Sequence, residues 1–232
     1  MLNKIYQKFL KEYKPQLWWP TTPKNKLKPE YLGGPSNEKE KFEIILGAIL
    51  TQNTSWVNVE KAIINLNKHN ILNINSLNSI NIKKLKLLIK PAGYYNQKSE
   101  RLKLIAKFLN NNPITKLEKL NIKKLRPLLL KQKGIGPETA DSILLYALNK
   151  PVFVIDTYTK RIFSRIGFLE EKSTYEEWQK LFHKNLKEDL KQFQEYHALI
   201  VEHAKRYCKK KPLCNICILK ENCKNAKNHL TF

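Results

Sequence analysis

Residues 131–165, KQKGIGPETADSILLYALNKPVFVIDTYTKRIFSR, narrow the folds open to this chain more than any other stretch. Helix-forming sequence runs into Gly134-Ile135-Gly136, and helix-forming sequence leaves it. Glycine at both positions lets the backbone turn sharply and lets another backbone come close. Pro137 suits the first position of the next helix, where its missing N–H costs nothing. The free N–H groups there, with the positive end of the helix dipole, suit a phosphate oxygen. Ile143, Leu144, Leu145 and Ala147 give that helix a packed side. A plain corner between two helices accounts for the turn equally well, since Gly-x-Gly alone is a weak signal. Further on, an apolar run ends at Asp156, a favoured cap for a helix starting at Thr157. A cap position also holds a carboxylate in a fixed place.

The rest of the chain reads almost entirely helical. Apolar spacing predicts helices over 3–13, 37–51, 55–68, 75–80, 82–89, 95–110, 115–120, 122–132, 137–148, 157–167, 174–188 and 191–207. Ser36 is the expected cap of the second. Residues 14–36 are loop-like, with five prolines and Gly33-Gly34. Residues 152–155 are the one strand-like run, expected as buried extended chain. Asn81-Ile82-Lys83-Lys84-Leu85 recurs as Asn121-Ile122-Lys123-Lys124-Leu125, each ahead of a glycine turn. Two copies do not make a solenoid, so they read as two similar helix corners. A chain of 232 residues is long enough for one large domain or two small ones.

Cys208, Cys214, Cys217 and Cys223 are the only cysteines, spaced C-x5-C-x2-C-x5-C within sixteen residues. Four thiolates this close can hold a [4Fe–4S] cluster or a structural zinc ion. Two disulfides are the remaining pairing, disfavoured without a secretory signal. Lys209, Lys210 and Lys211 lie inside the loop, and Lys220 between its last two cysteines. A fixed loop would present these amines to phosphates; a solvated basic face is the plainer reading.

The net charge is +23, which suits a polyanionic partner. Only five of the 43 basic residues are arginine, so a lysine-rich coding bias also contributes. Met1–Lys14 carries no apolar leader, and no apolar run approaches the roughly 20 residues that span a bilayer. A cytoplasmic, nucleoid-associated protein without membrane contact is expected.

The stretch Gln132-Lys133-Gly134-Ile135-Gly136-Pro137-Glu138-Thr139-Ala140, followed by Val154-Ile155-Asp156-Thr157, resembles the helix-hairpin-helix DNA glycosylases of the endonuclease III superfamily. Their motif reads L-P-G-V-G-x-x-T-A, with an essential Asp at this distance. The resemblance implies an all-α fold of two helical subdomains, with the hairpin motif in one and a four-cysteine cluster loop in the other. It places a helical bundle at 28–150 and a second subdomain at 1–27 plus 151–232, with the active cleft between them near Asp156. It implies that Gly134, Gly136 and Lys133 hold the DNA backbone, that Lys209–Lys211 add to that grip, and that Asp156 is catalytic. The cysteine spacing is one residue shorter in its first gap than the family's cluster loop, and the resemblance favours [4Fe–4S] over zinc. Members that also nick the strand carry a Lys two residues after the second Gly. Glu138 stands there instead, so no Schiff base forms at that site and water is the expected nucleophile. A weak lyase action through another amine, such as Lys133, stays open.

Gln52, in Thr51-Gln52-Asn53-Thr54, matches the family's residue that fills the hole left by an extruded base. Without the family, it reads as a polar helix end. Trp18-Trp19-Pro20 and the segment Leu46–Thr54 are similar to bacterial type III 3-methyladenine DNA glycosylases. There the matching aromatics line the base pocket, which assigns Trp18, Trp19 and Trp56 to it; docking of the N-terminal arm is their other reading. An electron-rich indole attracts a cationic base such as 3-methyladenine, whose glycosidic bond is already weakened. The expected protein is therefore a monomeric, monofunctional glycosylase acting on double-stranded DNA with an alkylated purine. An endonuclease III-like glycosylase and lyase for oxidised pyrimidines or mismatches is the alternative. A DNA-binding protein without activity is the third reading, and it would need neither Asp156 nor the tryptophans.

Overall fold

The computed structural model describes residues 1–230, and the chain is all-α, as expected. It forms two compact units, Leu17–Lys150 and Met1–Gln16 with Pro151–Phe232, whose last two residues lie outside the described part. Residues 17–27, expected with the chain ends, belong instead to the middle unit. The reason is Trp19, which is 6 % exposed and packs over Gly47 of that unit.

The chain opens with α1 (Leu2–Tyr13), whose Leu2, Ile5, Phe9 and Tyr13 recur at helical spacing and are buried. The middle unit holds α2 (Glu38–Leu50), α3 (Trp56–Lys68), α4 (Ile74–Ser79), α5 (Ile82–Ile89), α6 (Tyr95–Asn111), α7 (Ile114–Leu117), α8 (Ile122–Leu130) and α9 (Pro137–Ser142). Helix α2 is apolar nearly all round and buried along most of its length, as its central position demands. Its cap is Asn37, whose side chain accepts from the Glu40 N–H at 3.0 Å. Ser36, the expected cap, sits one residue too early and bonds to the Glu40 carboxylate instead.

The repeated Asn-Ile-Lys-Lys-Leu segments are two equivalent corners. Asn81 and Asn121 cap α5 and α8. Each helix leads to a glycine with positive φ, Gly93 at 69° and Gly134 at 84°. Helix α9 does not run to 148 as its spacing predicted. It gives way at Ile143–Ala147 to a π-helical turn, all five residues buried against α2. Such turns redirect side chains and recur at functional sites.

The end unit adds α10 (Thr157–Ile166), α11 (Tyr175–Asn185), α12 (Leu190–Arg206) and α13 (Lys224–Leu230), the last unforeseen in the sequence. Helices α1 and α10 pack against α12. The core is aromatic: Phe153 stacks on Phe182 at 4.1 Å, with Phe163 and Tyr196 edge-on to Phe182. Residues 151–156 are extended, and Val152–Ile155 are buried, as expected. Buried backbone needs partners, and α11 supplies them. Phe153 N–H donates to His183 Nε2 at 3.1 Å, Ile155 N–H to the Tyr175 hydroxyl at 3.2 Å, and Gln179 donates to the Phe153 carbonyl at 2.8 Å.

Candidate functional site

Asp156 ends this extended segment and caps α10. Its Oδ1 accepts from the N–H and the hydroxyl of Thr159, both at 2.7 Å. Its Oδ2 faces His197 Nε2 of α12 at 3.6 Å. Burial by itself would raise the pKa of this carboxyl. The His197 contact and the two Thr159 bonds outweigh burial and hold it below the usual carboxylate range. Asp156 is thus a buried carboxylate biased toward its ionised form, with Oδ1 on Thr159 and Oδ2 beside His197. His197 was not singled out in the sequence, because nothing in the chain's spacing relates it to Asp156.

The opposite end of α10 serves the cysteine loop. Arg161 donates to the Cys208 carbonyl at 2.9 Å, and Arg165 to the carbonyls of Lys209 at 2.6 Å and Lys210 at 3.0 Å. Lys209, Lys210 and Lys211 are thus exposed side chains on a tied backbone. All four cysteines line one small cavity in the end unit. Arg165 donates to Cys208 Sγ at 3.3 Å and the Leu219 N–H to Cys217 Sγ at 3.4 Å. Burial pushes the Cys217 thiol up to about 11 and raises Cys208 as well. Largely buried cysteines around one cavity, with N–H donors on the sulfurs of Cys208 and Cys217, suit a group that binds them as thiolates.

In the middle unit, the hairpin consists of α8, the turn and α9. Arg126 of α8 grips the fully buried Asp141 of α9 with two bonds, 2.7 and 3.1 Å. The two glycines of the turn differ. Gly134 needs its lack of a side chain, since φ is 84° and a Cβ there would stand 2.6 Å from Arg101 Cδ. Gly136 has ordinary backbone and nothing within 4 Å of where a Cβ would be. Its bareness serves no internal packing and leaves room for an approaching backbone. Lys133 and Glu138 are exposed beside the turn.

Gln52 lies against this turn. Its amide N–H groups donate to the Gly134 carbonyl and the Thr139 hydroxyl, both at 2.9 Å, and its carbonyl accepts from Arg101. It was expected as a residue that enters DNA; here every group of its amide is engaged with the hairpin and α6.

The tryptophans come together. Trp18 and Trp19, joined by a cis peptide bond, meet edge-on at 5.9 Å, and Trp19 meets Trp56 at 5.7 Å. Tyr146 of the π-helical turn joins them, 5.3 Å from Trp19 and 6.4 Å from Trp18. This tyrosine was overlooked because a regular helix would have given no reason to single it out. The indole N–H groups of Trp19 and Trp56 are buried without a hydrogen-bond partner. Glu43 of α2 anchors the same segment, accepting from the Thr22 hydroxyl at 2.8 Å. Burial raises its pKa to about 7.

Residues 46–188 match the HhH-GPD superfamily of base excision DNA repair proteins. The chain is 46 % identical over 228 residues to a provisionally named DNA repair glycosylase of Methanocaldococcus jannaschii, covering 96 % of each chain. It is 29 % identical over 233 residues to endonuclease III of Sulfolobus acidocaldarius, covering 97 % of this chain and 98 % of that one. Among solved structures, the H. pylori 3-methyladenine DNA glycosylase bound to 1,N6-ethenoadenine superposes with a TM-score of 0.66 at 30 % identity, over 88 % of this chain and 94 % of that one. An endonuclease III–DNA covalent intermediate superposes with a TM-score of 0.77 at 17 % identity, over 99 % of both, a likeness of fold. Among the described residues no helix is long and apolar enough to cross a membrane. The chain belongs to the helix-hairpin-helix superfamily of base excision repair enzymes and is a DNA glycosylase.

Proposed function

We propose that this glycosylase is monofunctional and hydrolyses the N-glycosidic bond of alkylated purines such as 3-methyladenine in double-stranded DNA. The aromatic cluster of Trp18, Trp19, Trp56 and Tyr146 carries this reading. It gathers electron-rich indole and phenol rings of the kind that attract a cationic base. Likeness to a 3-methyladenine glycosylase at 30 % identity supports the same substrate class. Glu138 supports hydrolysis over lyase chemistry, since a carboxylate cannot form the imine that strand nicking requires.

The hairpin turn, with Lys133 and the lysines of the cysteine loop, holds the phosphodiester backbone. The damaged base leaves the stack and lies against the tryptophans. Gln52 exchanges its bonds to Gly134 and Thr139 for the orphaned partner base. As the C–N bond breaks, Asp156 Oδ2 stabilises the oxocarbenium-like sugar and orients the attacking water. The products are a free base and an abasic site.

Cys208, Cys214, Cys217 and Cys223 hold a [4Fe–4S] cluster. Four cysteines around one cavity suit a cluster held by four thiolates. When bound, the cluster stiffens the loop that carries Lys209–Lys211. The protein acts as a monomer.

The second reading, an endonuclease III-like enzyme for oxidised pyrimidines, draws on the breadth of the fold likeness to endonuclease III. Duplexes carrying 3-methyladenine or thymine glycol separate the two. Release of the methylated base, with strand breaks only after alkali, is expected. Release of the oxidised base with direct nicking would transfer the assignment to the second reading.

A further inference from the structure

We propose that Arg101 of α6 is a phosphate-binding residue that completes the DNA-backbone clamp at the hairpin turn. Three observations on this side chain converge. First, its stem lies across Gly134, with Cδ and Cγ 2.6 and 2.9 Å from where a Cβ would stand, so the guanidinium is delivered to the turn itself. Second, one N–H donates to the Gln52 carbonyl, and among the described residues the half-buried guanidinium makes no other hydrogen bond. Third, among the described residues no carboxylate pairs with Arg101. The other arginines are engaged: Arg126 with Asp141, Arg206 with Glu202, and Arg161 and Arg165 with carbonyls of the cysteine loop.

The surroundings increase the demand for an anion. Lys98, one turn earlier on α6, is 1 % exposed and donates to the carbonyls of Leu50 and Ala92, both at 2.8 Å. It too lacks a carboxylate, and burial, with the Arg101 charge beside it, lowers its pKa to about 8. A guanidinium presents five donors in a planar fork, matched to two phosphate oxygens at once. With one donor fixed on Gln52, the fork is pre-oriented, so less side-chain entropy is lost when phosphate binds. The turn supplies backbone N–H groups and the exposed Lys133 amine; Arg101 adds a planar, two-pronged donor from a helix outside the motif.

The inference rests on the glycosylase reading in one respect, that the hairpin is where the DNA backbone lies. The experiment is a salt titration of binding to an undamaged duplex, so it does not depend on which base is excised. Arg101→Gln is expected to lower the slope of log affinity against log salt by about 0.9, the loss of one phosphate contact. Arg101→Lys is expected to restore that slope. Phenylglyoxal labelling of the unaltered protein, read by peptide mass, covers the case in which Arg101→Gln folds poorly. DNA is expected to protect Arg101 while Arg126, half-buried and paired with Asp141, serves as the internal reference. An Arg101→Gln slope equal to wild type, or Arg101 labelling indifferent to DNA, would overturn the proposal even if base release falls, because Arg101 would then be a structural tie to Gln52. A lowered slope in a protein that releases neither test base would keep the phosphate contact and sink the substrate assignment.

Discussion

At Asp156, the division of labour between the two carboxylate oxygens makes fold and catalysis separable. Asn caps helices as well as Asp, so Asp156→Asn is expected to keep its bonds to Thr159, the helical content and DNA binding. It loses the charge, and single-turnover excision should fall by roughly 10²–10³-fold, the scale of one electrostatic contact in a transition state. Excision at the wild-type rate would remove Asp156 from the mechanism. His197 acts through Asp156. With Phe at 197, burial is no longer offset by that contact, and the carboxyl pKa rises. In the proposed mechanism the ionised form acts, so in His197→Phe the acid limb of the pH–rate profile should move to higher pH. A uniform loss of rate with the limb unmoved would mean that His197 only packs. Glu43 gives the opposite sign. Its folded pKa of about 7 lies above the unfolded value of 4.5, so its stabilising contribution is complete below the unfolded value and is lost as pH rises through about 7. Glu43→Gln removes that loss. The variant should gain stability over wild type at pH 8, by at most about 3 kcal/mol, and little at pH 4. Equal melting shifts at both pH values would show that Glu43 does not titrate in this range.

At the level of elements, the two hairpin glycines predict contrasting phenotypes. Gly134→Ala forces a side chain into left-handed backbone and against the Arg101 stem, and is expected to destabilise the protein by about 1–2 kcal/mol or more. Gly136→Ala meets neither obstacle, and its melting temperature should match wild type. Its Cβ stands where the phosphate backbone would approach, so DNA affinity should fall. Loss of affinity in neither variant would mean that the turn is a plain helix corner. The sequence disclosed the corner, the capping role of Asp156 and most helix positions, because glycine spacing, cap residues and apolar periodicity are local signals. It did not disclose the π-helical turn that brings Tyr146 to the tryptophans, nor the meeting of Arg101, Gln52 and Gly134. Those depend on how helices distant in sequence pack, which periodicity does not encode. The Ser36 and Asn37 exchange is a local matter: both residues can cap α2, and the Glu40 geometry decides between them.

Across the molecule, sequence-independent affinity for DNA comes from a net charge of +23, but that charge is useful only where backbone holds it in place. In the end unit, α10 couples the two requirements, with Asp156 at its start and arginines near its end tying the backbone that carries Lys209–Lys211. The aromatic core around Phe153, Phe163, Phe182 and Tyr196 is built without the cysteine loop. With the proposed cluster, the wild-type protein should be brown and contain iron, and Cys214→Ser should lose both while keeping most of its helical signal. With the loop loosened, the lysines should no longer act together, and the salt slope of DNA binding should fall by up to about 0.9 for each lysine released. A colourless wild-type protein containing zinc would replace the cluster assignment. A colourless variant with an unchanged salt slope would show instead that the arginines of α10 hold the basic loop without the cluster's help.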